Sequence, residues 1–120
     1  MKRWQLDAVS GDGVGQPRVL FSTPEARAVV SHLRAGEEMG THRVRERAIV
    51  QVVSGRVRIR CGQVDEDCPQ GALVVFEPGE EHAVRALDDT ELLLLLAPWP
   101  APDHYPQRLP RNASEAPAGG

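Results

Sequence analysis

Aromatic side chains are scarce: two Phe, two Trp and one Tyr in 120 residues. Any core must therefore be aliphatic, and Val, Ile and Leu dominate the middle of the chain, which suits the interior of a small barrel. Positive charge is not in excess. Lys and Arg total 14 against 17 Asp and Glu, a net charge of −3, so nothing attracts nucleic acid or anionic lipid over the whole surface. No apolar stretch approaches the roughly 20 residues of a membrane span; the longest runs from Leu92 to Ala97. The N-terminal MKRWQLDAVSGDG carries two positive charges but no apolar segment, so it does not read as a secretory signal. The cytoplasm is the expected compartment, and the two cysteines, Cys61 and Cys68, are expected as thiols. Asn112-Ala113-Ser114 is a glycosylation acceptor in form only.

What is present fits one domain with one core. Residues 1–17 form a lead-in containing Trp4, Leu6 and the loop SGDGVGQP. Gly11, Gly13 and Gly15 resemble a phosphate loop, but the strand-like VLF follows Pro17 where a helix would be required. A flexible loop is the better reading. Residues 18–97 read as short strands broken by turns: RVLF, ARAVVSHL, AIVQVV, RVRIRC, a patch at 64–68, ALVVF, HAVRAL and ELLLLL. The breaks are STPE, RAGEEMG, SG, GQ, PQG, EPGEE and DD. This pattern predicts an all-β sandwich or barrel. Residues 98–120 hold six of the ten prolines. They read as a surface arm to about 108, with Trp99 and Tyr105 as anchors, and then a disordered tail.

One hairpin can be read to the residue. Gly62-Gln63 suits a two-residue type II′ turn. That register sets Arg60 against Asp65 and Arg58 against Asp67 on one face, where opposite charges attract. Arg56, Arg58 and Arg60 then form a solvent face neutralised by the partner strand. The other face carries Val57, Ile59 and Cys61 against Cys68, Glu66 and Val64. It keeps the cysteines apart. Glu66 falls on this apolar face, so it lies at a wet rim or the register slips. Leu92–Leu96 is apolar on both faces, whereas a barrel strand needs only its inner face buried. The outer set, either Leu92, Leu94 and Leu96 or Leu93 and Leu95, implies a homodimer, or a cover by the N-terminal segment or the Trp99 arm.

Two segments stand out: GEEMGTHRVRERAIVQVVSG, residues 36–55, and GALVVFEPGEEH, residues 71–82. Together they resemble the two signature motifs of the cupin superfamily, G-x5-H-x-H-x(3,4)-E-x6-G and G-x5-P-x-G-x2-H-x3-N. The resemblance implies a single-domain cupin-type jelly-roll β-barrel over residues 18–97, its pocket open at one end.

Matched residue by residue, His42 takes the first histidine position and His82 the histidine of the second motif. Val44 stands at the second histidine, Ala48 at the glutamate, Glu77 at the first proline and Ala86 at the asparagine. Of the four side chains that usually hold the family's metal, two remain. Two imidazoles chelate weakly, so the resemblance implies at most a weakly bound divalent transition metal. Val44 and Ala48 instead make the pocket more apolar. The expected ligand pocket is His42, Val44, Ala48 and His82, and the expected metal donors are His42 and His82 with Glu46. Glu46 either turns toward the barrel mouth or pairs with Arg45, Arg47 or solvent. Arg43 is expected to point outward, and Arg45 and Arg47 to occupy a turn. His32 points outward if Leu33 is core, and His104 is solvated. No nucleophile constellation is visible. The expected function is binding of a small molecule by a barrel with a degraded metal site, as a sensor, carrier or accessory protein. The alternatives are a metal-dependent cupin enzyme of the dioxygenase or isomerase class on His42, His82 and Glu46, and a metal-free acid/base enzyme on His42 or His82.

Overall fold

The computed structural model describes residues 1–6, 17–42 and 45–100, with the side chains of residues 40–42 outside the description. The glycine-rich loop at 11–15, Arg43, Val44, His104, Tyr105 and the tail from 109 lie outside the described residues. Among the described residues the strands are β1 (Arg18–Ser22), β2 (Arg27–Leu33), β3 (Glu38–His42), β4 (Arg47–Ser54), β5 (Arg56–Cys61), β6 (Val64–Pro69), β7 (Leu73–Phe76), β8 (His82–Ala86) and β9 (Thr90–Ala97). They form two antiparallel sheets, ordered β1-β2-β9-β4-β7 and β3-β8-β5-β6. This is the expected all-β jelly roll. Among the described residues no helix is long and apolar enough to cross a membrane.

Period-two alternation builds both sheets. In β5, Val57 and Ile59 are buried while Arg56, Arg58 and Arg60 are exposed. In β4, Ala48, Val50 and Val52 are buried while Gln51 is exposed. The core lies between the sheets, where Val52, Val57 and Leu92 have no accessible surface. Burying each such side chain stabilises the fold by about 1.5–3 kcal/mol. In β9, Leu92, Leu94 and Leu96 face this core. The outer set is therefore Leu93 and Leu95, both half-buried.

The hairpin register is as expected at every position, from Cys61 opposite Val64 to Val57 opposite Cys68. Gly62 takes φ +62°, as the first central residue of a type II′ turn requires. The ion pairing differs in detail. Asp65 takes Arg58 at 2.9 Å, diagonally, instead of Arg60 directly opposite it. Arg58 also binds Asp67. Both cysteines are free thiols.

Two sequence readings need correction. RAGEEMG is not all break: the turn is confined to Arg34–Glu37, closed by the Glu37 N–H on the Arg34 carbonyl at 2.9 Å, and β3 begins at Glu38. Glu38-Met39-Gly40-Thr41 shows no apolar alternation because β3 is an edge strand, held in its sheet by β8 alone. Arg47 is likewise not in a turn. It opens β4 and forms an ion pair with Glu77 at 2.8 Å.

At the chain ends, Trp4 stacks on Phe21 with centroids 6.0 Å apart. The backbone N–H of Trp99 donates to the Pro24 carbonyl at 3.2 Å, and the Trp99 ring lies 4.6 Å beneath the Arg27 guanidinium.

Candidate functional site

The site assembles at one end of the barrel. His42 ends β3 and His82 begins β8, and the ladder sets them directly opposite each other. A register irregularity between Met39 and His42 breaks the ladder just before this pair. Bulges of this kind re-aim strands beside functional sites. The β5–β8 ladder pairs Arg60 with Ala83, so Cys61, one step on, comes alongside His82. Cys61 in turn faces Val64 of β6.

His82 is buried, with 5% of its surface accessible. Two of its contacts orient the ring. Phe76 stacks on it, centroids 3.8 Å apart and planes 7° apart. The Glu80 carbonyl lies 3.2 Å from Nδ1. A carbonyl can only accept, so the neutral ring carries its proton on Nδ1 and presents Nε2 as its accepting atom. The EPGE turn sets up this contact. The Glu80 N–H reaches the Glu77 carbonyl at 3.0 Å, and the Glu80 side chain accepts the Glu77 N–H at 2.9 Å.

The Glu80 carboxylate also interacts with the Cys61 thiol. The Glu77 amide, then this thiol, holds Glu80 below the usual carboxylate range. Burial first, and then Glu80, pushes the Cys61 thiol up. Burial also raises Cys68. Both thiols are therefore protonated at neutral pH and behave as small packing groups.

Beside this row lies a cavity of about 260 Å³ between β5, β6 and β7. Ile59, Val74, Phe76 and the two cysteines give it apolar walls, and Glu66 and Glu80 supply its charge. Glu66 is exposed, so it sits at the wet rim of an unslipped hairpin.

Ala48 is buried across the β4–β7 ladder from Phe76. Glu46 is fully buried at the bend before β4 and engages a polar partner. His32 is half-buried and points outward, 3.9 Å from Glu91 on the neighbouring strand. Sequence reasoning missed Phe76 and Glu80. The alternation in ALVVF, which turns Val74 and Phe76 inward, was the available signal for the first.

The cupin domain family matches residues 29–98, more than half of the chain. The chain belongs to this family. Among solved structures it is similar to an rmlc-like cupin from Desulfovibrio desulfuricans, at 25% identity over 82% of this chain and 97% of that one, TM-score 0.71. A conserved protein of unknown function from Streptococcus pyogenes is 27% identical over 68% of this chain and 71% of that one, TM-score 0.63. An uncharacterised double-stranded β-helix protein from Klebsiella pneumoniae shares 19% identity over 82% of this chain and 90% of that one, TM-score 0.71. No curated protein matches the chain.

The family's usual metal can be tested against the donors present. Among the described residues no three His, Cys, Asp or Glu side chains converge on one point. The motif resemblance would set Val44 and Ala48, which offer no lone pair, at two of the usual ligand positions. The donor set does not fit the usual four-ligand metal, so no chemistry is derived through it.

Proposed function

We propose that this barrel binds a small organic molecule in the cavity beside His82, as a sensor, carrier or accessory protein. The observation that carries the reading is the immobilised His82–Phe76 stack next to an apolar cavity of about 260 Å³. Phe76, which stacks on His82, forms part of the wall of that cavity, so the wall is pre-organised. The charged groups lining the cavity are both carboxylates, Glu66 and Glu80, which favours neutral or cationic ligands over organic acids. A thermal-shift screen of matched neutral, amine and carboxylate compounds tests this. The expected hits raise the melting temperature of the parent and lose that effect in His82→Ala. A screen without hits, or hits unaffected by His82→Ala, would refute the reading.

A second reading is supported by Glu46. A fully buried carboxylate just before β4, in the motif that contains His42, suits a two-histidine, one-carboxylate metal enzyme. Metal analysis decides between them. Stoichiometric zinc, iron, nickel or manganese, lost in Glu46→Ala, would favour the enzyme; well under one metal per chain would favour the binder.

The protein is further proposed to be a homodimer. Leu73 and Val75 of the edge strand β7 are 64% and 47% exposed, and Val75, Ile49 and Leu95 form one cross-strand row. Light scattering at micromolar concentration giving a monomer mass would remove this claim.

A further inference from the structure

The outer face of the β3-β8-β5-β6 sheet holds a cleft of about 310 Å³, lined in part by Arg58, Arg60, Arg85, Glu38 and Asp65. It is separate from the barrel interior. The ladders place Arg85 directly opposite Arg58, and Arg60 directly opposite Ala83. Like charges directly across a ladder repel. For Arg58 that repulsion is relieved, because Asp65 and Asp67 both bind it and raise its pKa. The same arrangement strips Arg60 of its direct partner Asp65. Arg85 faces Glu38 across β3–β8, yet among the described residues neither Arg60 nor Arg85 forms an ion pair. Between these two cations stands Ala83, buried and too small to fill the space. Arg60 and Ala83 also border an adjoining cleft of about 210 Å³ that reaches His82 and Glu81.

We propose that this outer cleft is a binding site for a small anion carrying a carboxylate or phosphate group, seated over Ala83 between Arg60 and Arg85. The guanidinium forks suit either group, since both present paired oxygens. Arg58, fixed by its two aspartates, forms the wall and adds little net charge. Glu38 is the opposing group: its carboxylate lowers the affinity and disfavours the most highly charged ligands. The site contrasts with the carboxylate-lined cavity inside the barrel and does not depend on what that cavity binds.

The test is a titration of the full chain followed by amide NMR shifts, at constant ionic strength made up with sodium chloride. One arm uses inorganic phosphate and the other succinate, so the two oxyanion chemistries are read separately. The expected result is saturable shifts at Arg60, Ala83 and Arg85 in at least one arm. Arg60→Gln and Arg85→Gln should each weaken binding about three- to fivefold, the range of a single exposed charge contact. Glu38→Gln should tighten it by a similar factor. Arg56→Gln, on the same face but outside the cleft, should leave it unchanged. Linear shifts that never saturate in either arm, shifts spread over the surface, or equal affinity in Arg60→Gln and Arg56→Gln would overturn the proposal. The unliganded amide spectrum of each variant reports its fold, so loss of binding cannot be confused with unfolding.

Discussion

Gly55 closes the first motif, and the structure gives a number to why it is glycine. Its φ is +89°, and an added Cβ would come within 2.3 Å of the Asp89 carbonyl oxygen and 2.5 Å of the Thr90 hydroxyl. Gly36 has the same φ of +89°, but a Cβ there meets nothing within 4 Å. The two positions separate backbone conformation from close approach. Left-handed backbone costs an L-residue roughly 1–2 kcal/mol, and that is all Gly36→Ala should lose. Gly55→Ala adds overlap with backbone atoms that cannot swing aside, a further cost of about 1–3 kcal/mol. Thr90 resists displacement because it is fully buried. Its hydroxyl accepts the Arg56 N–H at 3.1 Å and lies 2.8 Å from the Asp88 carbonyl, to which it can donate. At about 4 °C per kcal/mol for a domain of this size, Gly36→Ala should melt about 4–8 °C below the parent and Gly55→Ala about 8–20 °C below. Urea unfolding followed by far-UV circular dichroism, started from refolded protein, measures both. Equal midpoints for the two variants, with unchanged slopes, would refute the close approach of β4 to β9 at this turn.

Other consequences are open to direct measurement. Cys61 should alkylate slowly with iodoacetamide until the pH exceeds its ordinary value of 9.0. Its raised folded pKa means the associated stability is complete below the unfolded pKa and is lost as pH rises through the folded one; a rate profile centred at or below that ordinary value contradicts this. Glu80 has the opposite sign: its depressed pKa contributes stability above the unfolded value of 4.5, lost as pH falls through the folded value. In Glu80→Gln this acid limb of the stability profile should flatten, and an unchanged limb would speak against it. Arg58→Gln should lower stability only slightly, since both its partners are exposed, and the deficit should shrink in about 0.5 M salt. Phe76→Leu keeps apolar volume but removes the stacked ring, so nitrogen NMR should show His82 leaving its single Nδ1–H form for a tautomer mixture; an unaltered spectrum would mean the stack does not hold the ring.

Most strands were legible because their burial alternates with the pleat. The β5–β6 hairpin was legible even in register, since a two-residue turn leaves no freedom to slide and a one-residue slip would turn every arginine inward. β3 was not legible: an edge strand reading Glu38-Met39-Gly40-Thr41-His42 carries no apolar period. The diversion of Asp65 to Arg58 was not legible either, because cross-strand diagonals are within reach of long side chains and sequence cannot rank them against direct partners. His82 could be placed by its motif. The residues that orient it could not, because Phe76 reaches it from the other sheet and Glu80 acts through a backbone carbonyl, which has no sequence signature.

The spacing EPGEEH acquires a physical meaning from Glu80. Its carboxylate closes the turn on the Glu77 amide, holds the Cys61 thiol, and stays ionised because those two donors stabilise its charge. Its carbonyl meets His82 Nδ1 two residues later. One residue thereby links turn geometry to the tautomer of the buried imidazole, with Phe76 closing the remaining degree of freedom from the opposite sheet. Fixing a buried ring this way costs conformational entropy, and the core beneath it would pack as well around an apolar side chain. The motif resemblance would set Val44 and Ala48, which have no lone pair, at two of the usual donor positions, which weighs against the usual metal as the reason for that cost. The oriented ring backs Phe76, which lines a cavity with apolar walls. If the orientation serves the binding proposed above, it should survive without metal, which the tautomer measurement on metal-free protein reads directly.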